Sequence, residues 1–206
     1  YGLHFMFSNN DEYHNNTFSN NGSGVAVMFS KFIKMSQNKF RKNWGTASYG
    51  LLLKEIYDAE IINNIFEQNT TGVFTEGSTR VNYINNDFIR NGWGIKISGA
   101  CYTNVFKHNN FLNNAFDLSY NSKLNDNVFN ENYWSSYTGY DLDKNGYGDI
   151  PFRPVKLFSY VVNKTPETLV LLRSLFVDII NFSEKVSPVF TPDNLLDNNP
   201  LMQPYK

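Results

Sequence analysis

Ile61-Ile62-Asn63-Asn64-Ile65-Phe66-Glu67-Gln68-Asn69-Thr70-Thr71-Gly72-Val73-Phe74-Thr75 is echoed farther on by Tyr83-Ile84-Asn85-Asn86-Asp87-Phe88-Ile89-Arg90-Asn91-Gly92-Trp93-Gly94-Ile95-Lys96-Ile97. Asparagine, phenylalanine and glycine fall at matching places in both segments. Self-similarity at a fixed period marks a repeat architecture. The frame Asn-x-Phe-x-x-Asn occurs six times, opening at Asn16, Asn38, Asn64, Asn86, Asn109 and Asn127. Its aromatic positions are Phe18, Phe40, Phe66, Phe88, Phe111 and Phe129. Gly2, Gly24, Gly50, Gly72 and Gly94 each head a short apolar strand, and Asp117 heads the last. An insertion, Trp44 to Ala47, makes one coil longer than its neighbours.

Beyond each glycine the apolar residues alternate. Leu3, Val25, Leu51, Val73, Ile95 and Leu118 form one column; Phe5, Val27, Leu53, Thr75, Ile97 and Tyr120 form a second, two positions on. Side chains two apart on a strand share a face, so both columns point inward and the residues between them outward. A third column precedes the asparagines: Tyr13, Met35, Ile61, Tyr83, Phe106 and Leu124. Three strand columns per period predict an all-β fold: a right-handed parallel β-helix of about six coils of ~22 residues, with the six phenylalanines in one buried stack. A leucine-rich repeat of this length needs a dense leucine frame and a helical leg, and neither is present.

The repeats occupy residues 1–132, and residues 133–206 read as a capping region. The cap holds an Asp-rich loop, one amphipathic helix and an extended, loop-like tail from Pro192. Thr165 as N-cap, Pro166 at the first helical position and Glu167 in the first turn announce the helix, which runs from Leu169 to Val186. Leu169, Leu172, Phe176, Ile179 and Ile180 form its main apolar stripe. Apolar residues on other faces suggest that it docks on a partner as well as sealing the coil end. Arg173, Phe176 and Ile180 are the candidate docking residues.

Composition narrows the function. Net charge is −1 and charged residues are 18% of the chain, which sets aside nucleic acid and acidic membrane surfaces as partners. Thirty-one asparagines would suit a disordered chain, but 18 Phe and 13 Tyr would not. A lone Cys101 excludes an internal disulfide framework. The opening Tyr1-Gly2-Leu3-His4-Phe5 reads as the middle of a repeat, so earlier coils and an export signal are expected upstream.

From Asn132-Tyr133-Trp134-Ser135 onward the chain resembles the NosD family. The likeness runs through Gly139-Tyr140-Asp141, Gly146-Tyr147-Gly148-Asp149-Ile150-Pro151-Phe152-Arg153-Pro154-Val155 and Leu171-Leu172-Arg173-Ser174. It continues in Pro188-Val189-Phe190-Thr191-Pro192-Asp193 and Pro200-Leu201-Met202. The coils themselves look like carbohydrate-binding and sugar-hydrolase repeats shared by many proteins. The resemblance implies a periplasmic, non-catalytic component that works with an ATP-binding-cassette transporter to supply copper for nitrous oxide reductase maturation. Its implied partners are the transporter permease and a copper chaperone or the reductase.

Two metal readings come from the residues themselves. Asp141, Asp143, Asn145, Tyr147 and Asp149 follow the spacing of a calcium loop, with Gly146 at its sharp turn, but Phe152 stands where a bidentate Glu belongs. The alternative is a tight Asx-turn loop without metal. His4 and Met6 alternate with inward residues, and Met28 shares the column of Met6, so an imidazole and two thioethers face outward as soft ligands for transient Cu(I). The plain alternative is a small apolar patch. Cys101 reads as core, His14 and His108 as solvated corners, and Met202 as a tail anchor.

The rival functions are a secreted carbohydrate-binding module and a polysaccharide-modifying enzyme. Glycoside hydrolysis needs two carboxyls on one face. Glu55 and Glu76 come from adjacent coils but lie one position out of register, and no uronate-binding basic cluster accompanies them.

Overall fold

The structure is a computed structural model and describes residues 1–121, 124–172, 174–186 and 194–206. It is a parallel β-helix. Leu3, Val25, Leu51, Val73, Ile95 and Leu118 lie in register across six successive coils, as do Phe5, Val27, Leu53, Thr75, Ile97 and Tyr120. All of these pairings are parallel. Another side of the coil forms a sheet of six strands, one per coil, from Thr17–Ser19 to Tyr133–Trp134.

In Asn15-Asn16, Asn63-Asn64 and Asn85-Asn86 the two asparagines do different work. The first turns the chain: Asn15, Asn63 and Asn85 take φ of 55 to 57°, the left-handed region that Asn tolerates. Gln37, His108 and Glu131 occupy the same corner with φ of 56 to 57°. Their strain is offset by the stack, because the corner N–H of Asn85 reaches Lys107 O and that of His108 reaches Glu131 O in the next coil. The second asparagine builds an internal ladder. Oδ1 of Asn38, Asn64, Asn86, Asn109 and Asn132 each accepts from the backbone N–H and Nδ2 of the ladder residue one coil earlier, at 2.9–3.1 Å. The other Nδ2 hydrogen reaches a backbone carbonyl, as Asn86 does to Ile61 O at 2.7 Å. Asn21, Asn43, Asn69, Asn91 and Asn114 form a second ladder of the same kind.

The glycine column has a steric cause. A Cβ on Gly72 would lie 2.6 Å from Gly94 O in the next coil. That is backbone, which cannot swing aside.

The aromatic stack differs from the expectation at its end. Phe18, Phe40, Phe66, Phe88 and Phe111 do stack in order, at centroid spacings of 4.7 to 5.4 Å. The sixth ring is Trp134, 4.1 Å from Phe111. Phe129 belongs instead to the column of Tyr13, Met35, Ile61, Tyr83 and Phe106, and Leu124, expected there, is exposed. The reason is a frame shift: Asn127 follows Asn109 too soon to be a full coil away, so Asn132 carries the ladder on. Asn127 pairs with Asn104 in a short third ladder.

Beyond the sixth coil the columns are extended by three separate pieces of chain: Val155 bridges to Leu118, Asp197 to Phe129 and Leu201 to Tyr133, all parallel. The tail that reads as loop in the sequence is thus part of the cap. Tyr205 continues back along the stack, its ring 4.2 Å from His108 and its backbone hydrogen-bonded to the Asn110 side chain.

The single expected helix is two, α1 (Leu157–Lys164) and α2 (Leu175–Val186), joined by a 3-10 segment, Pro166–Leu171. Pro166 disfavours helical backbone at the residue before it, and Thr165 is held at φ −139°, which ends α1. The cap signal at Thr165 therefore starts a 3-10 turn. Phe158 and Val162 of α1 and Val177 of α2 pack on Trp93 and Phe116 in a second small core. The expected stripe on α2 is displaced: Val177 is its buried anchor, while Phe176 and Ile179 are exposed.

Candidate functional site

The outward face of the first coils carries the soft ligands. Strand parity turns His4 and Met6 away from the core of Leu3 and Phe5, and pairing places Met6 in register with Met28. Registered residues on neighbouring parallel strands are about 4.8 Å apart, close enough for two thioethers to share one ion. Met6 is exposed and Met28 half-buried. The His4 ring is exposed and stacks on Tyr1 at 5.0 Å. On one side of the methionines the corner residues Phe7 and Phe29 stack at 5.2 Å. On the other, Lys54 continues the Met column, but its ammonium is drawn to Glu76 at 3.3 Å. The patch therefore presents two neutral thioethers and an imidazole beside apolar rings, a donor set suited to Cu(I) rather than to a hard cation.

The Asp-rich loop is held by its own backbone. Asp141 Oδ1 accepts from Asn145 N and Oδ2 from Gly146 N; Asp143 Oδ1 accepts from Asn145 N, and Asn145 Oδ1 from Tyr147 N. Asp149 Oδ2 accepts from Leu142 N. Burial pushes the Asp141 carboxyl up, but the N–H bonds it accepts outweigh that and hold it below the usual range. These are the contacts of an Asx-turn loop. Among the described residues no three His, Cys, Asp or Glu side chains converge as a metal site, and nothing in the geometry favours calcium over the turn.

Of the docking residues, Phe176 is exposed and Ile180 half-buried, while Arg173 lies outside the described residues. Leu175, Phe176, Ile179 and Phe182 give α2 an exposed apolar face. Among the described residues, no helix is long and apolar enough to cross a membrane.

Glu55 and Glu76 are offset by one position in the register. Lys54, not Glu55, stands opposite Glu76, and Glu55 turns a corner at φ 52°, accepting from the Tyr57 hydroxyl at 3.2 Å. Cys101 is buried, and burial raises its thiol pKa. His14 bonds to Ser36 and Glu12, and His108 to Glu131 at 2.7 Å.

Sequence reasoning missed Asp197, the acceptor that closes the first asparagine ladder. Its Oδ1 accepts from Glu131 N and Asn199 N, and its Oδ2 from Asn132 N, Asn132 Nδ2 and Trp134 Nε1, at 3.0–3.2 Å. The carboxylate sits where the ladder's N–H groups point.

The profile of the family described as "Periplasmic copper-binding protein (NosD)" matches residues 1–139. A protein of Stutzerimonas stutzeri named "Probable ABC transporter binding protein NosD" is 24% identical over 196 residues, covering 86% of this chain and 44% of its own length. One of the same name from Pseudomonas aeruginosa is 26% identical over 121 residues, covering 57% of this chain and 28% of its own. The chain thus spans less than half the length of the curated relatives it matches.

Proposed function

We propose, because this chain belongs to the NosD family of periplasmic copper-binding proteins, that it is a non-catalytic component of a transporter-linked system supplying copper for nitrous oxide reductase maturation. The registered Met6–Met28 pair with His4 beside it is the observation that carries the reading to specific atoms. Thioether sulfur and imidazole nitrogen hold Cu(I) without a compensating charge, and an exposed position permits transfer to a second carrier by ligand exchange.

The transporter partner is proposed from the names of the relatives and from α2. Its exposed Leu175, Phe176, Ile179 and Phe182 form an apolar face that docking on the permease would remove from water. In a strain lacking this gene, nitrous oxide reductase is expected to be isolated copper-poor, with wild-type full-length protein restoring its content. Full-length protein carrying Phe176→Asp and Phe182→Asp is expected to fold but to lose co-purification with the permease and to restore little copper. Full copper loading in the deletion strain would defeat the functional reading. Intact complexes with the α2 variant would defeat the docking assignment alone.

A further inference from the structure

A groove of about 340 Å³ runs across the coils on another part of the surface. One wall is the corner column Phe32, Asp58, Arg80 and Thr103, and the other is Lys34, Glu60 and Asn82, in register across three coils. Four coils at about 4.8 Å make a trough roughly 14 Å long, the length of a short oligosaccharide.

The lining has the chemistry of sugar recognition. Phe32 is 47% exposed at one end, an apolar ring on which the C–H face of a pyranose can stack. Phe32 also holds φ of 58° in a column whose other members are Asn10, Asp58, Arg80 and Thr103. The exposed corner rings of Phe7 and Phe29 share this left-handed backbone, at φ of 55° and 50°. Farther along, Arg80 grips Asp58 through two parallel bonds, Nε to Oδ1 at 2.5 Å and Nη2 to Oδ2 at 2.8 Å. That fixes a planar array whose remaining edges can bond to vicinal hydroxyls. Asn82 and Glu60 supply amide and carboxylate groups opposite, and Lys34 reaches Glu12 only at 3.6 Å.

Charge decides the class of sugar. Three cations, Lys31, Lys34 and Arg80, are matched by three carboxylates, Glu12, Asp58 and Glu60, so the groove has no net charge to attract a polyuronate. Arg80 also holds the Asp58 carboxyl below its ordinary pKa. Asp58 therefore stays ionised beside Arg80. We propose that this groove binds a neutral oligosaccharide. The site is separate from the methionine patch and does not depend on the copper reading.

The test is ligand-observed NMR on the full-length protein with cellotetraose, maltotetraose and N-acetylchitotetraose. Tetragalacturonate and an extended uncharged tetrapeptide are the competitors. At least one neutral sugar is expected to bind with a Kd under about 10 mM. Phe32→Ala and Asn82→Ala are each expected to weaken it about tenfold or more at unchanged Tm, while Trp44→Ala, an exposed aromatic outside the groove, leaves it unchanged. No neutral sugar bound in that range, equal affinity in the Phe32→Ala and Asn82→Ala variants and the wild type, or tighter binding of the tetragalacturonate or the peptide would each overturn the proposal.

Discussion

Asp197→Asn is expected to lower stability by about 4 kcal/mol. The carboxylate is fully buried and takes five N–H donors from Glu131, Asn132, Trp134 and Asn199. It also closes a chain of amide dipoles running from Asn16 to Asn132, each with its N–H end toward the next coil. An anion at that positive end is favoured for the same reason as one at a helix N-terminus. An asparagine has one accepting oxygen, so its NH₂ must face either the pair of donors at Oδ1 or the three at Oδ2. Each buried group left unmatched costs about 1–3 kcal/mol. Because Asp197 arrives from a tail segment far along the chain from the coil it caps, its loss also frees the tail and opens the end of the stack. Urea unfolding of both proteins measures the difference, and hydrogen exchange at residues 131–134 should rise together with it. A change below about 1 kcal/mol would mean that the ladder does not need a charged end.

Phe88→Ala is expected to cost about 3–5 kcal/mol through the cavity it leaves. The ring is fully buried between Phe66 at 5.0 Å and Phe111 at 4.8 Å, and backbone pairing on both sides prevents collapse into the space. Phe7 also stacks on an aromatic neighbour but is 73% exposed, so Phe7→Ala should cost less than about 1 kcal/mol. If the two variants unfold at similar denaturant concentrations, burial is not what stabilises the stack.

Most of the fold is legible because a parallel β-helix writes itself into sequence as a period. Inward parity, the glycine column and the phenylalanine stack all follow from residues one coil apart. The last coil is not legible, for two reasons. Trp134 replaces the expected Phe, and Asn127 follows Asn109 at less than a full period, which draws the frame onto the wrong strand. The two-helix cap is hidden by Thr165-Pro166, a sequence that both starts one segment and ends another. Asp197 leaves no local trace, since its partners are fixed by how a distant tail docks. The methionine pair is readable, because outward parity and a one-coil offset suffice to place it. The groove beside Phe32 is not, because four coils contribute its walls and none contributes a motif.

Copper on the outward face of the first coils is tested by Cu(I) binding to the full-length protein in competition with a chromogenic chelator. Wild type is expected to withdraw Cu(I) from the chelator, and His4→Ala/Met6→Ala/Met28→Ala to lose about tenfold or more in affinity while unfolding at the same temperature, with Asp141→Ala binding as wild type does. Equal Cu(I) affinity in the wild-type and triple-variant proteins would contradict the assignment of copper to this face.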